Sequence, residues 1–183
     1  MPWDTSLPYG LRDTKLTGYT TAAATTLAGT STDMPNARTM SFGEAEETEE
    51  LRGDDTVVAI HGKGADVSWE MEHGGISIPA YKLMNGGTSV TTGTTPAQVN
   101  TYTKKTTDSR NYFKAEGQSI SDNGGDFHVV LSRCKATGDL EGELADGSFW
   151  LTGTSGRALG SLVVAELDVI YKFVLNETAV AIP

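Results

Sequence analysis

Apolar and polar residues alternate strictly along Val67-Ser-Trp-Glu-Met-Glu-His73. Val67, Trp69, Met71 and His73 fall on one side; Ser68, Glu70 and Glu72 fall on the other. That period of two belongs to a half-buried strand, whose successive side chains leave opposite faces of a sheet. It assigns Val67, Trp69 and Met71 to core packing. Gly74-Gly75 breaks the pattern, and Ile76, Ile78, Ala80, Tyr81, Leu83 and Met84 then suit a short packed helix. Upstream, Ala37 to Phe42 begins a strand that runs into an acidic segment. Val57 to His61 is a compact β-branched run, and Gly62-Lys-Gly64 reads as a turn leading into the Val67 strand. Downstream, Tyr112–Ile120 and Phe127–Ala136 read as strands of a hairpin turning at Asp122-Asn-Gly-Gly-Asp126.

Beyond that hairpin, turn signals at Gly138-Asp139 and Asp146-Gly147 bracket a short Leu140–Leu144 piece and precede a Phe149–Gly153 strand. Leu167, Val169, Tyr171, Phe173 and Leu175 share one face of a C-terminal strand, with a helix left open over Leu159–Glu166. Strands at short spacing with turn residues between them predict a mainly β chain. The expected architecture is an antiparallel β-sandwich or barrel with one short flanking α-helix. Residues 1–36 are expected to form an arm or loop region with an early strand at Leu11–Thr17. Within it, Thr20–Asp33 carries too few large apolar groups to fold alone. Residues 37–183 then make up the β domain, interrupted by a flexible glycine- and threonine-rich loop over about 84–108.

Size and charge narrow the function classes. With 183 residues the chain fits one domain, and a chain of that size removes roughly 70% of its unfolded surface on folding. The formal net charge of −10 argues against a direct grip on nucleic acid, because phosphate binding needs clustered cations. Cys134 is the only cysteine and sits in a strand pattern, so a buried structural thiol is expected rather than a disulfide or nucleophile. Met1-Pro-Trp-Asp has neither the basic start nor the apolar run of a signal peptide, and no stretch reaches the ~20 apolar residues of a membrane helix. A soluble product made in a reducing cytoplasm, with no membrane contact, is expected.

Site chemistry is sparse. His61, His73 and His128 are far apart, and none has a metal-spaced neighbour. Acids are abundant but come in solvated runs, without the desolvated partner that an acid–base pair needs. Asp122–Asp126 lacks the alternating ligands and distal glutamate of a calcium loop. Gly153-Thr-Ser-Gly-Arg157 lacks the lysine and helix context of a phosphate loop. No enzyme activity, cofactor or metal is expected. Charge pattern is more informative: Glu44, Glu46, Glu47, Glu49, Glu50, Asp54 and Asp55 stand against Arg52 alone, whereas Lys104, Lys105, Arg110 and Lys114 outweigh Asp108. An acidic projection and a basic segment on one chain suit head-to-tail contact between copies.

Three segments then combine: Glu49-Glu-Leu-Arg-Gly-Asp-Asp-Thr-Val-Val-Ala59, Ala65-Asp-Val-Ser-Trp-Glu-Met-Glu-His-Gly-Gly-Ile76 and Ala80-Tyr-Lys-Leu-Met-Asn-Gly86. With Tyr112–Gly117, Asp126–Lys135 and Phe173–Ala179, they resemble the major tail tube proteins of long-tailed, siphovirus-like bacteriophages, over roughly Met40 to Pro183. The resemblance implies a β-sandwich or barrel with a flanking helix, similar in fold to the tubes of contractile tails and type VI secretion. It implies subunits that close into hexameric rings and stack into a hollow virion tube for DNA delivery. The lumen would be negative, so that DNA passes without specific binding. Implied partners are copies of the chain, a tape-measure protein in the lumen, and tail terminator and baseplate or distal tail proteins at the ends. On this reading the acids from Glu44 to Asp55 line the lumen or a ring–ring surface. A carbohydrate-binding or head-decoration module, with Trp3, Trp69 and Trp150 as a sugar platform, is the alternative.

Overall fold

The computed structural model describes residues 5–183; Trp3 lies outside the described residues. Among the described residues, ten strands and one α-helix follow in the order β1 (Pro8–Tyr19), β2 (Leu27–Asp33), β3 (Ala37–Gly53), β4 (Thr56–Gly74), α1 (Ile78–Asn85), β5 (Thr88–Thr92), β6 (Val99–Thr103), β7 (Tyr112–Ser121), β8 (Asp126–Ala136), β9 (Leu151–Leu159) and β10 (Tyr171–Asn176). The main sheet is antiparallel, in the order β2-β1-β7-β8-β9-β4-β3, with β10 added beside β8. The long edge of β8 is divided. Its first half, Asp126 to Leu131, pairs with β10, and Arg133 to Ala136 pairs with β9. This fork lets the sheet roll into a mainly β sandwich or barrel with one short helix. The roll brings Met40 of β3 over Gly117 of β7, beside Leu11 of β1.

The alternation along Val67–His73 is matched by burial in β4. Val67, Trp69, Met71 and His73 are buried, while Ser68 and Glu70 are exposed. Trp69 meets Phe113 of β7 edge-to-face, at a centroid separation of 5.6 Å. Such a pair contributes about 1 kcal/mol beyond the area it buries. Leu16, Ala115, Leu131, Cys134 and the α1 residues Ala80 and Met84 complete the same core. The helix starts where Ser77 accepts a hydrogen bond from the Ala80 amide. It stops at Gly86, whose N–H donates to the Lys82 carbonyl. A second aromatic group, Phe42, Phe127, Tyr171 and Phe173, packs β10 against β3 and β8.

Several sequence expectations are corrected. Thr20–Asp33 is not a free arm or loop throughout: its second half is β2, paired with β1 from Lys15↔Asp33 to Tyr19↔Leu27. As an edge strand it is held by backbone pairing to one neighbour, so it needs few large apolar residues. The stretch read as a flexible loop contains the β5–β6 hairpin, paired from Thr88↔Thr103 to Thr92↔Val99. Gly62-Lys-Gly64 is not a turn. The strand continues through it with a bulge, Glu46 facing Ala65 and Thr48 facing Gly62, and Gly64 supplies a positive φ of 98°. The reversal occurs instead at Asp54-Asp55, where both residues have positive φ (49° and 63°), as a two-residue hairpin turn of the primed type requires. Leu140–Leu144 forms no strand beyond a single bridge from Glu141 to Gly153, and the strand expected from Phe149 starts at Leu151. Only a 3-10 turn at Val164–Glu166 occupies the region left open to a helix.

Close packing over β9 gives a matched pair of tests. A Cβ added at Gly156 would stand 2.1 Å from the Lys135 carbonyl oxygen and 2.6 Å from the Trp69 ring, whereas one at Gly153 meets nothing within 4 Å. Gly156→Ala is expected to destabilise the fold by about 1–3 kcal/mol through overpacking, and Gly153→Ala by under about 0.5 kcal/mol. Chemical denaturation of the two variants side by side checks this; equal midpoints would refute the packing account.

Candidate functional site

Strand β4 is longer than the neighbour that covers it. Its pairing with β9 runs only from Val67↔Ala158 to Gly74↔Leu151. Before Val67, β4 pairs with β3 alone. The two strands therefore leave the body as a two-stranded arm, and from Gly43 to Asp66 every residue except half-buried Gly62 is exposed. At ~3.3 Å per residue, the ten steps from Gly43 to Gly53 carry the arm about 33 Å outward. All seven acids singled out in the sequence, Glu44, Glu46, Glu47, Glu49, Glu50, Asp54 and Asp55, lie on it.

Apolar groups interleave with those acids. Val58 is 64% exposed and Ile60 63%, and Leu51 and Val57 are exposed beside them. Cross-strand partners share a face, so Leu51 and Ala59 occupy one side while Glu50 and Ile60 occupy the other. Val58 is the extra residue of a bulge between the Leu51–Ala59 and Arg52–Val57 pairs. Two cations partly neutralise the arm: Arg52 binds Glu50 at 3.0 Å, and Lys63 binds Glu47 at 3.3 Å and Glu49 at 3.6 Å. At the root, Glu44 accepts a hydrogen bond from the Tyr171 hydroxyl, which raises that phenol's pKa. Glu46, Asp54 and Asp55 make no ion pair among the described residues.

The four basic residues expected as contacts between subunits each have their own local partner or exposure. Lys104 donates to the Asn85 carbonyl at the end of α1, and Arg110 donates to the Gly138 carbonyl at 2.5 Å. Lys114 is half-buried on β7 and binds Glu116 at 3.0 Å. Lys105 stays exposed, its backbone N–H held by Asp108. A cationic surface exists nearby that shares only Arg110 with this set. Lys82, Arg110 and Lys135 line a cleft of about 640 Å³ between the β1–β2 turn, α1 and the start of β7, and no carboxylate lines it. Tyr112 forms part of its wall, with the Lys135 ammonium 4.8 Å and the Arg133 guanidinium 5.3 Å from the ring centre. Sequence reasoning missed Lys82, Arg133 and Lys135 because Lys82 is the one charged residue of α1 while Arg133 and Lys135 belong to β8, and only folding brings the two elements to one cleft.

The remaining candidates separate. His61 is on the arm. His73 is buried at the end of the Trp69 face, where burial lowers its pKa and keeps the ring neutral. His128 lies on the face of β8 away from the core, between Glu116 and Asp126. Among the described residues no group of three histidines, cysteines or acids is placed to hold a metal ion. Cys134 is buried and its thiol is pushed far up by desolvation, so it is inert as a nucleophile. Trp69 is enclosed in the core and Trp150 donates its indole N–H to Thr152, so these two rings do not present a common platform to a sugar.

A two-stranded ribbon with no third strand is marginal in water, so the arm should open far more readily than the body that carries it. In amide exchange on the dilute full chain, residues 46–63 are expected to exchange at least about a hundredfold faster than residues 67–73. Equal protection in the two halves of β4 would show that the arm is held by something within the subunit.

No protein-family model matches this chain, and no curated protein matches it significantly.

Proposed function

We propose that this chain is a structural subunit that assembles into stacked rings forming a hollow tube. Its resemblance to the tail tube proteins of long-tailed bacteriophages implies that role. The observation that carries the reading is the arm. Some twenty residues project from a well-packed body with both backbone edges unpaired and with Leu51, Val57, Val58 and Ile60 in water. Exposed edges and apolar side chains on one projecting element are unfavourable for an isolated protein and natural for one whose neighbours cover them. A second copy is the occupant the charges favour. The arm is acidic, and the cleft lined by Lys82, Arg110 and Lys135 supplies opposite charge on the same chain. Contact between unlike surfaces of identical subunits is heterologous, so it closes into rings or propagates along an axis.

Within this proposal, partners other than the chain itself are a tape-measure protein inside the tube and terminator and baseplate proteins at its ends. The net charge of −10 gives no phosphate clamp, which suits a conduit for DNA. The role is architectural and located in the virion. Hexameric symmetry and a negative lumen come from the resemblance.

Electron microscopy of the concentrated protein, with and without tail initiation complexes, is expected to reveal rings or tubes. Val58→Glu with Ile60→Glu should abolish them while leaving the subunit's unfolding free energy within about 0.5 kcal/mol, since both side chains are already exposed. Lys82→Glu with Lys135→Glu should weaken assembly in the same way. If the protein remains monomeric throughout, even with initiation complexes, the proposal is wrong; assembly that survives both pairs of changes would remove the arm and cleft from it.

A further inference from the structure

We propose that residues 177–183 are a strap latched across β8, β7, β1 and β2, and that the proton on His128 holds the latch closed. This inference stands independently of the assembly reading. The strap crosses the face of β7 and β8 opposite the core. Asp126 Oδ2 accepts from the Val180 N–H at 2.8 Å, and Gln118 donates its amide N–H to the Val180 carbonyl at 2.8 Å. Farther along, Lys15 donates to the Ile182 carbonyl at 2.5 Å and Ser31 donates to the Pro183 carbonyl at 2.6 Å. Ile182 is buried, whereas the Val180 side chain faces water. The strap is thus anchored by one apolar side chain and a row of polar contacts.

Beneath it lies a charge-balanced group. His128 Nδ1 is 2.9 Å from Glu116 Oε1, and His128 Nε2 is 3.0 Å from Asp126 Oδ2, the oxygen that holds Val180. Lys114 binds the other Glu116 oxygen at 3.0 Å, and Asn176 donates to Asp126 Oδ1 at 2.7 Å. Lys114 and an imidazolium offset the two carboxylates. Cross-strand register places Asp13 and Lys15 of β1, Asp33 of β2 and Lys172 of β10 on the same face. Of these, Lys15 is engaged with the strap and Lys172 with Glu166, and Glu177 is exposed on the strap itself.

Only the doubly protonated ring donates to both carboxylates at once. A neutral ring leaves a lone pair facing either Glu116 Oε1 or Asp126 Oδ2 and leaves the buried group with one uncompensated negative charge. Buried charge of that kind is costly. The titration directions agree. Burial opposes charge on His128, but its hydrogen bonds and the charges of Glu116 and Asp126 outweigh it and raise its pKa above 6.5. Burial likewise opposes charge on Asp126, yet donors from Asn176, Val180, Gln118 and His128 bring its pKa down to about 2. Glu116 is lowered too, its burial outweighed by His128 and Lys114. The histidine's contribution is complete below its unfolded value and disappears as pH rises through the folded one. The aspartate's contribution is complete above its ordinary 3.8 and disappears as pH falls toward 2. The latch is therefore closed in mild acid and loosens on the alkaline side.

Amide exchange of the full chain, corrected for the intrinsic base-catalysed rate, tests this. Protection at Val180 is expected to fall roughly tenfold as pH rises through the titration of His128, while residues 67–73 stay protected. In His128→Gln that pH dependence should vanish. A Val180 protection factor independent of pH in the unaltered chain, or one with the same slope in His128→Gln, would overturn the proposal. Should His128→Gln not fold, Val180→Pro removes the strap donor at an exposed side chain. Linkage is reciprocal, so the pKa of His128 followed by NMR should then drop; an unchanged value would refute the latch equally.

Discussion

Backbone pairing in β4 is the constraint on which the rest of the molecule depends. Every strand must place its N–H and C=O groups somewhere, in a ladder or in water. Strand β4 does both along its 19 residues. From Val67 to His73 it is paired on each side, by β3 and β9, and its inward side chains are the large buried ones. From Thr56 to Asp66 it has β3 only, and its side chains are in water. One continuous strand thus joins the rigid centre of the fold to its most exposed element. A displacement of the arm cannot be absorbed by a loop, because the bulges at Val58 and near Gly64 are the only interruptions of register on the β4 side before the buried segment.

The part of this legible in the sequence was the part with a period. Val67 to His73 alternates because one face is core, and Tyr112–Ala136 shows two strands around an Asn-Gly turn for the same reason. The arm was legible only as charge. Where both faces of a ribbon meet water, no alternation is imposed, and Glu44–Glu50 looks the same whether it forms a strand or a loop. Its turn is masked in the sequence because two glycines at Gly62 and Gly64 are a stronger cue than Asp54-Asp55, although adjacent aspartates tolerate the left-handed conformation that the reversal needs. Strand β2 escaped notice for a related reason: it lies at an edge, where backbone pairing to β1 fixes it without a row of large apolar side chains.

Residues that act together through register are hidden from any reading along the chain. Glu116, Gln118, Asp126 and His128 are separated by a turn and belong to two strands, and nothing in their spacing marks them as neighbours. Antiparallel pairing sets Gln118 opposite His128 and Ile120 opposite Asp126. The polar face is then determined, because the core claims the alternate positions Phe113, Ala115 and Gly117. The cationic cleft is equally a product of folding, since Lys82 comes from α1, Arg110 from the segment before β7 and Lys135 from the end of β8.

These placements give the two faces of the β7–β8 hairpin opposite physical characters. Its inner face contributes Phe113, Ala115 and Leu131 to the core, where apolar contact is non-directional and close packing sets the fit. Its outer face is equally sheltered and carries Glu116, Gln118, Asp126 and His128 beside Val130, so each polar donor there needs a particular acceptor at a particular distance. A sheltered polar face requires a cover, and residues 177–183 provide it through backbone atoms rather than large side chains. Covering of that kind differs from core packing: the strap is held by hydrogen bonds and by Ile182, its one buried side chain. The fold therefore keeps its apolar interior closed while leaving two elements at its periphery: the arm, continuous with the buried half of β4, and the strap, held mainly by hydrogen bonds.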